Sequence, residues 1–153
     1  MKNKELQVIK HLRVDARTKL TKMSRKTGIP VSTIYEYLKG FENGIIKKHT
    51  CLIDFRKLGY DLRVTLLVKT RQESKQEVKK YLETHHQVNT VYRINNGYDY
   101  LAEVVFKNMA DLQQFLDELD NKKIKARKEY YVLEELRREA FLTSEAHLSV
   151  LKK

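Results

Sequence analysis

The chain has 153 residues, 41% hydrophobic and 33% charged, with five Gly, one Pro and one Cys. This composition excludes a disordered chain, a loop-dominated chain and a disulfide-stapled scaffold, and it leaves room for one or two small domains with a real core. Lys and Arg number 31 against 20 Asp and Glu, a net charge of +11, and up to Thr50 there are twelve Lys/Arg against four Asp/Glu, so eight of the eleven surplus charges lie in the N-terminal third. A basic surplus confined in this way points to a polyanionic partner, double-stranded DNA ahead of a membrane surface.

No apolar run approaches the about eighteen residues that a bilayer span requires, so a cytoplasmic protein with no membrane partner is expected. Cys51 has no second cysteine to pair with, which fits a reducing compartment.

Leu6, Ile9 and Leu12, with Val8 beside them, predict a first helix over 4–14. Leu20 and Met23 give a second helix its apolar edge, and Gly28-Ile29-Pro30 stops it, since Gly tolerates left-handed dihedrals and Pro disfavours helix in the residue before it. A third helix restarts at once over 31–42, with Ile34, Tyr37, Leu38 and Phe41 facing inward at i, i+3, i+4, i+7. Two short helices joined by a tight turn make a helix-turn-helix. The outward face of the third helix carries Ser32, Thr33, Tyr35, Glu36 and Lys39, the residues that would reach base edges in a major groove. Lys22, Arg25, Lys26, Lys39, Lys47 and Lys48 are the candidate phosphate grips. Gly44 is expected to end the third helix in the left-handed conformation.

IIKKHTCLIDF, from Ile45, reads as an extended β connector, and Lys57 to Asp61 as a turn. Leu62, Val64, Leu66 and Val68 then alternate with Arg63, Thr65 and Lys69 as a half-buried strand. Val78, Tyr81, Leu82 and His85 mark a helix over 74–86. Two alternating stretches, 88–95 and 98–106, flank Asn96-Gly97, the strongest short hairpin signal. Leu112, Phe115, Leu116 and Leu119 place a helix over 111–121, and a last strand runs over 123–134. The order βαββαβ predicts a ferredoxin-like antiparallel sheet with both helices on one face, so the fold class is α+β. The expected domains are a helix-turn-helix at 1–46, a β connector at 47–60 and the ferredoxin-like domain at 61–153. Leu67, Leu101, Val105, Tyr131 and Leu133 fall on the opposite parity, which leaves an apolar open face and predicts a homodimer.

The G-I-P-V-S-T-I segment at 28–34, F-E-N-G-I-I at 41–46, the D-x4-G segment from Asp54 to Gly59 and N-G-Y-D-Y at 96–100, taken in this order, resemble the Lrp/AsnC family of bacterial and archaeal transcription factors. The resemblance covers nearly the whole chain. It implies dimers pairing through the βαββαβ (RAM/ACT-like) domains, further assembly into octamers, and small amino acids as effectors. It also places the effector near the hairpin turn, with Asn95, Asn96, Gly97, Tyr98, Asp99 and Tyr100 as the candidate contacts. The chain departs from the family pattern at Pro30-Val31, where Ser-Pro is usual, and at Tyr37, where a basic residue is usual.

No Gly-rich phosphate loop, Ser-His-Asp set or Cys/His metal box is present, so neither cofactor, metal nor catalytic residue is expected. His85-His86 reads as a pair of helix C-terminal histidines beside a favourable dipole. The expected function is a sequence-specific DNA-binding regulator that responds to a small effector. Two alternatives stand beside it. One is a sirohaem-decarboxylase-like enzyme of the same architecture, for which His85, His86 or Arg93 would be nominated, and the other is a nucleoid-packing protein with little sequence preference.

Overall fold

The computed structural model describes residues 2–150. Two compact units form: one runs to Leu52 and takes up the chain again from Leu136, and the other is Ile53–Glu135.

The first unit opens with three helices, α1 Asn3–Val14, α2 Leu20–Thr27 and α3 Val31–Glu42. Glu5 accepts from the Lys2 backbone N–H at 2.8 Å, which satisfies one of the donors at the start of α1. Gly28 ends α2 in the left-handed region at φ +69, its N–H donating to the Ser24 carbonyl. Thr27 tightens this turn, its hydroxyl donating to the Met23 carbonyl and accepting from Ile29 N–H. Pro30 stands just before α3, where its missing N–H leaves no hydrogen bond unmade. Val8, Ile9, Met23, Ile29, Ile34 and Phe41 form the core, with Leu12, Leu20, Tyr37 and Leu38 against it. Gly44 departs from expectation. It is not left-handed: Gly44 N–H donates to the Phe41 carbonyl in a 3₁₀-type i→i−3 bond, and Ile46 N–H closes a wider i→i−5 turn on the same carbonyl.

The second unit is a four-stranded antiparallel sheet in the order β2-β3-β1-β4. Its elements are β1 Leu62–Lys69, α4 Lys75–Thr84, β2 Val88–Arg93, β3 Tyr100–Phe106, α5 Met109–Asp120 and β4 Ala126–Tyr131, the expected βαββαβ order. Val64, Leu66 and Val68 from β1 and Tyr100, Ala102, Val104 and Phe106 from β3 pack against Val78 and Leu82 of α4 and Leu112, Phe115, Leu116 and Leu119 of α5. Asn96 (φ 62) and Gly97 (φ 93) are both left-handed, as the twist of a tight hairpin requires.

Three expectations need correction. Residues 47–52 form no strand, and the only regular element between α3 and β1 is a 3₁₀ turn at Phe55–Leu58, capped by Asp54, whose side chain accepts from Arg56 N–H. An extended segment becomes a strand only where a second backbone meets its N–H and C=O groups, and none among the described residues does. On β4, Tyr131 pairs with Val64 and therefore shares the helix side of the sheet; Tyr130, opposite Thr65, stands on the open face in its place. Leu133, one step beyond Val132 opposite Arg63, follows Tyr131 rather than the open face.

The third correction concerns the end of the chain, which leaves the ferredoxin-like unit at Leu136. Arg13 of α1 donates to the Phe141 carbonyl at 3.1 Å, to the Glu139 carbonyl at 2.9 Å and to the Glu139 carboxylate at 2.9 Å. Lys10 pairs with Glu145, the first residue of a short helix α6, Glu145–Val150. Leu142 packs on the three-helix core, and Leu148 is fully buried. Leu148→Ala is expected to destabilise the protein by about 2–5 kcal/mol, the range for emptying a closed leucine site. Urea unfolding followed by circular dichroism measures this, and a loss below about 0.5 kcal/mol would show that the segment does not hold to the helices in solution.

Candidate nucleic-acid interface and effector turn

The first unit presents two kinds of exposed side chain that differ in chemistry. Lys22, Arg25 and Lys26 stand exposed on α2, and Lys47 and Lys48 follow α3 in a stretch without regular structure. On α3 itself Ser32, Tyr35, Glu36 and Lys39 are exposed, whereas Thr33 is half-buried. All ten sequence-predicted contacts therefore lie in one unit, with the polar face of α3 opposite the buried Ile34 and Phe41. The Lys39 ammonium sits 4.7 Å from the centre of the Tyr35 ring, an attraction between cation and ring face that holds both side chains outward.

Not every base of this unit is free. Lys10 and Arg13 are engaged by Glu145 and Glu139, a pairing that local sequence could not announce because the partners are more than a hundred residues apart. Beside them lies a cavity of about 640 Å³ lined by Lys4, Gln7, His11, Lys26 and Glu145, among others. Burial and the nearby Lys10 and Lys26 hold the His11 imidazole below its ordinary pKa.

In the second unit the hairpin turn exposes Asn95, Asn96 and Gly97, with Tyr98 half-buried and the Lys128 ammonium 5.7 Å from its ring centre. Asp99 is already held. Its Oδ2 accepts from Thr70 N–H at 2.8 Å and from the Thr70 hydroxyl at 2.9 Å, and its Oδ1 accepts from Lys75 Nζ at 3.1 Å. The Thr70 backbone bond, helped by the Thr70 hydroxyl and Lys75, keeps this carboxyl below its ordinary value. Thr70 and Lys75 were not evident from sequence, since they lie 29 and 24 residues before Asp99. Tyr100 packs in the sheet core at 5% exposure, its hydroxyl donating to the Lys75 carbonyl at 3.5 Å.

His85 stands at the C-cap of α4, as expected. Its ring packs on Tyr81 and on the edge of Phe115, and burial, reinforced by His86, lowers its pKa; the nearby Glu118 opposes this without prevailing. His85 and His86 line a cavity of about 290 Å³ with Gln87, Asp111, Gln114, Phe115 and Glu118; Arg93 is not among its walls, so the nominated enzyme residues are not brought together. Among the described residues no group of three or more His, Cys, Asp or Glu is placed to hold a metal, and no helix is long and apolar enough to cross a membrane.

The Lrp/AsnC ligand binding domain model matches residues 63–140. The HTH-type transcriptional regulator FL11 of Pyrococcus horikoshii is 35% identical over 111 residues, covering 72% of this chain and 74% of its own. The fold matches that of the transcriptional regulator NMB0573/L-Met complex from Neisseria meningitidis, with a TM-score of 0.84 at 17% identity over 90% of this chain and 93% of that one. LrpC of B. subtilis matches with a TM-score of 0.81 at 20% identity over 90% and 97%. With its ligand-domain match spanning half the chain and a relative at this identity, the protein belongs to the Lrp/AsnC family of transcriptional regulators.

Proposed function

We propose that this protein is a cytoplasmic, sequence-specific transcriptional regulator that grips double-stranded DNA with α2 and reads it with α3. The observation that carries this reading is the segregation of free Lys22, Arg25, Lys26, Lys47 and Lys48 with the exposed face of α3 in one unit. Two such heads joined by pairing of the ferredoxin-like units give a homodimer, and dimers can assemble further. The likeness in fold to the NMB0573/L-Met complex supports a small amino acid as effector. The turn at Asn95 to Asp99 is our choice for its site: the turn supplies backbone N–H groups for a carboxylate, and Asp99 retains lone-pair capacity on Oδ1 for an ammonium.

A dimer neutralising about six to ten phosphates should lose roughly 10³–10⁵ in affinity between about 50 and 200 mM salt. Fluorescence anisotropy on a duplex measures this, and an affinity flat over that range would remove the DNA reading. Ser32→Ala, Thr33→Ala or Tyr35→Ala should change sequence preference, while Lys22→Ala or Lys26→Ala should weaken all duplexes alike. If both groups weaken specific and random DNA by one factor, the protein packs DNA without reading it.

Leu101→Arg or Tyr130→Arg should yield monomers by light scattering at micromolar concentration, with DNA affinity falling at least tenfold because tethered heads bind far better than one. A wild-type protein that scatters as a monomer would end the dimer reading.

Asp99→Asn should abolish amino-acid binding in calorimetry while leaving dimerisation and DNA affinity in place. Because its folded pKa is depressed, ionised Asp99 contributes stability above its ordinary value of 3.8, and that contribution is lost as pH falls through the folded value. The variant should therefore show a shallower loss of stability below about pH 4. Wild-type silence across a panel of free amino acids would leave Asn96-Gly97 as a turn and nothing more.

A further inference from the structure

Glu36 occupies the middle of the outward face of α3. With each residue turned by about 100°, Ser32, Glu36 and Lys39 line up on the side opposite Ile34 and Phe41, which are buried. A carboxylate here meets the phosphate field of DNA with repulsion, so a helix whose sole task was to grip would be better without it.

Nor does Glu36 serve the fold. Every other described carboxylate of this unit has a partner: Glu5 accepts from Lys2 N–H, Asp15 from Arg17 N–H, Glu42 faces His49 at 3.9 Å, Glu139 holds Arg13 and Glu145 holds Lys10. Among the described residues none reaches Glu36. Its natural neutraliser, Lys39, turns away to the Tyr35 ring, 4.7 Å from the centroid. An unpaired acid is thus kept at the centre of the outward face of α3.

A carboxylate can only accept hydrogen bonds, which narrows what it can meet in a major groove. Guanine offers two acceptors there, N7 and O6, and thymine offers O4 and a methyl group. Adenine has a donor at N6 but sets the N7 acceptor beside it, where the second carboxylate oxygen would be repelled. Cytosine presents its N4 amine. We propose, resting on the DNA-binding reading above, that Glu36 is a specificity-determining residue that accepts from the N4 amine of a cytosine. Repulsion from phosphate lowers affinity for every sequence, and the cytosine contact restores it where that base is in place, so selectivity comes largely from a penalty on wrong sites.

The test is selection from a library of random-sequence duplexes with the wild type, Glu36→Gln and Glu36→Ala, together with anisotropy on one duplex lacking the selected motif. The wild type should select a cytosine at a fixed position in each half-site. Glu36→Gln should move that position to adenine, whose N6 and N7 match an amide, and Glu36→Ala should lose roughly tenfold or more of the discrimination there. Both variants should bind the unselected duplex several-fold more tightly than the wild type, while their thermal unfolding stays unchanged. Variants that select the wild-type motif with the same cytosine preference would overturn the proposal, as would a wild-type motif with no such position. In either case salt-dependent binding by the wild type would leave the DNA reading standing, whereas a wild type that binds no duplex would end both.

Discussion

The left-handed turn at Gly28 is the constraint on which the DNA-facing face depends. An isolated helix of eight residues is not stable in water, so α2 exists through its packing, and where it stops must be specified locally. Gly28 at φ +69 and the Thr27 hydroxyl specify it, which puts Ile29 in the core and starts α3 at Val31. If α2 ended one residue later, α3 would turn by about 100° relative to its partners, and Glu36 and Lys39 would no longer be the residues that point outward. A Cβ at Gly28 would meet nothing within 4 Å, so the cost of any other residue there is in the backbone alone, about 1–2 kcal/mol.

Elements with strong periodicity and local stop signals were legible in the sequence. The alternation of Val64, Leu66 and Val68, the Asn96-Gly97 turn and the i, i+3, i+4, i+7 pattern of α3 each encode their own structure within a few residues, and the fold class follows from their order. What was not legible depended on distant partners. Tyr130-Tyr131-Val132-Leu133 is an unbroken apolar run with no alternation, so its parity is set by pairing with β1 and cannot be read from the run itself. The partners of Asp99 were not legible because Thr70 and Lys75 lie far along the chain. The exposure of Lys22, Arg25 and Lys26 on α2 and of Ser32, Tyr35, Glu36 and Lys39 on α3 needed no such pairing, because exposure on a helix follows from its period.

The return of the chain to the three helices shows which kind of contact holds a segment. Its ion pairs, Lys10 with Glu145 and Arg13 with Glu139, are largely exposed on the acidic side, and pairs of that kind contribute about 0–1 kcal/mol each. Burial of Leu148 contributes about 1.5–3 kcal/mol, and Leu142 adds part of a similar amount, so apolar packing holds the segment in place. The ion pairs act instead on the field around the unit. By occupying Lys10 and Arg13 they take two cations of α1 out of competition, and the free positive charge that remains is weighted toward α2 and the residues after α3.

The open face of the sheet follows a related division of labour. Tyr92, Leu101 and Leu67 form one cross-strand row, while Arg63 and Glu103 close an ion pair on the neighbouring rows, with Glu135 also on Arg63. Apolar side chains beside a charged pair that is already satisfied can be covered by a second surface without leaving an unpaired ion in a dry environment, which is the arrangement that costs several kcal/mol. Were Glu103 absent, covering the same leucines would bury the Arg63 guanidinium with Glu135 alone to answer it. The pair thus makes this face tolerant of burial.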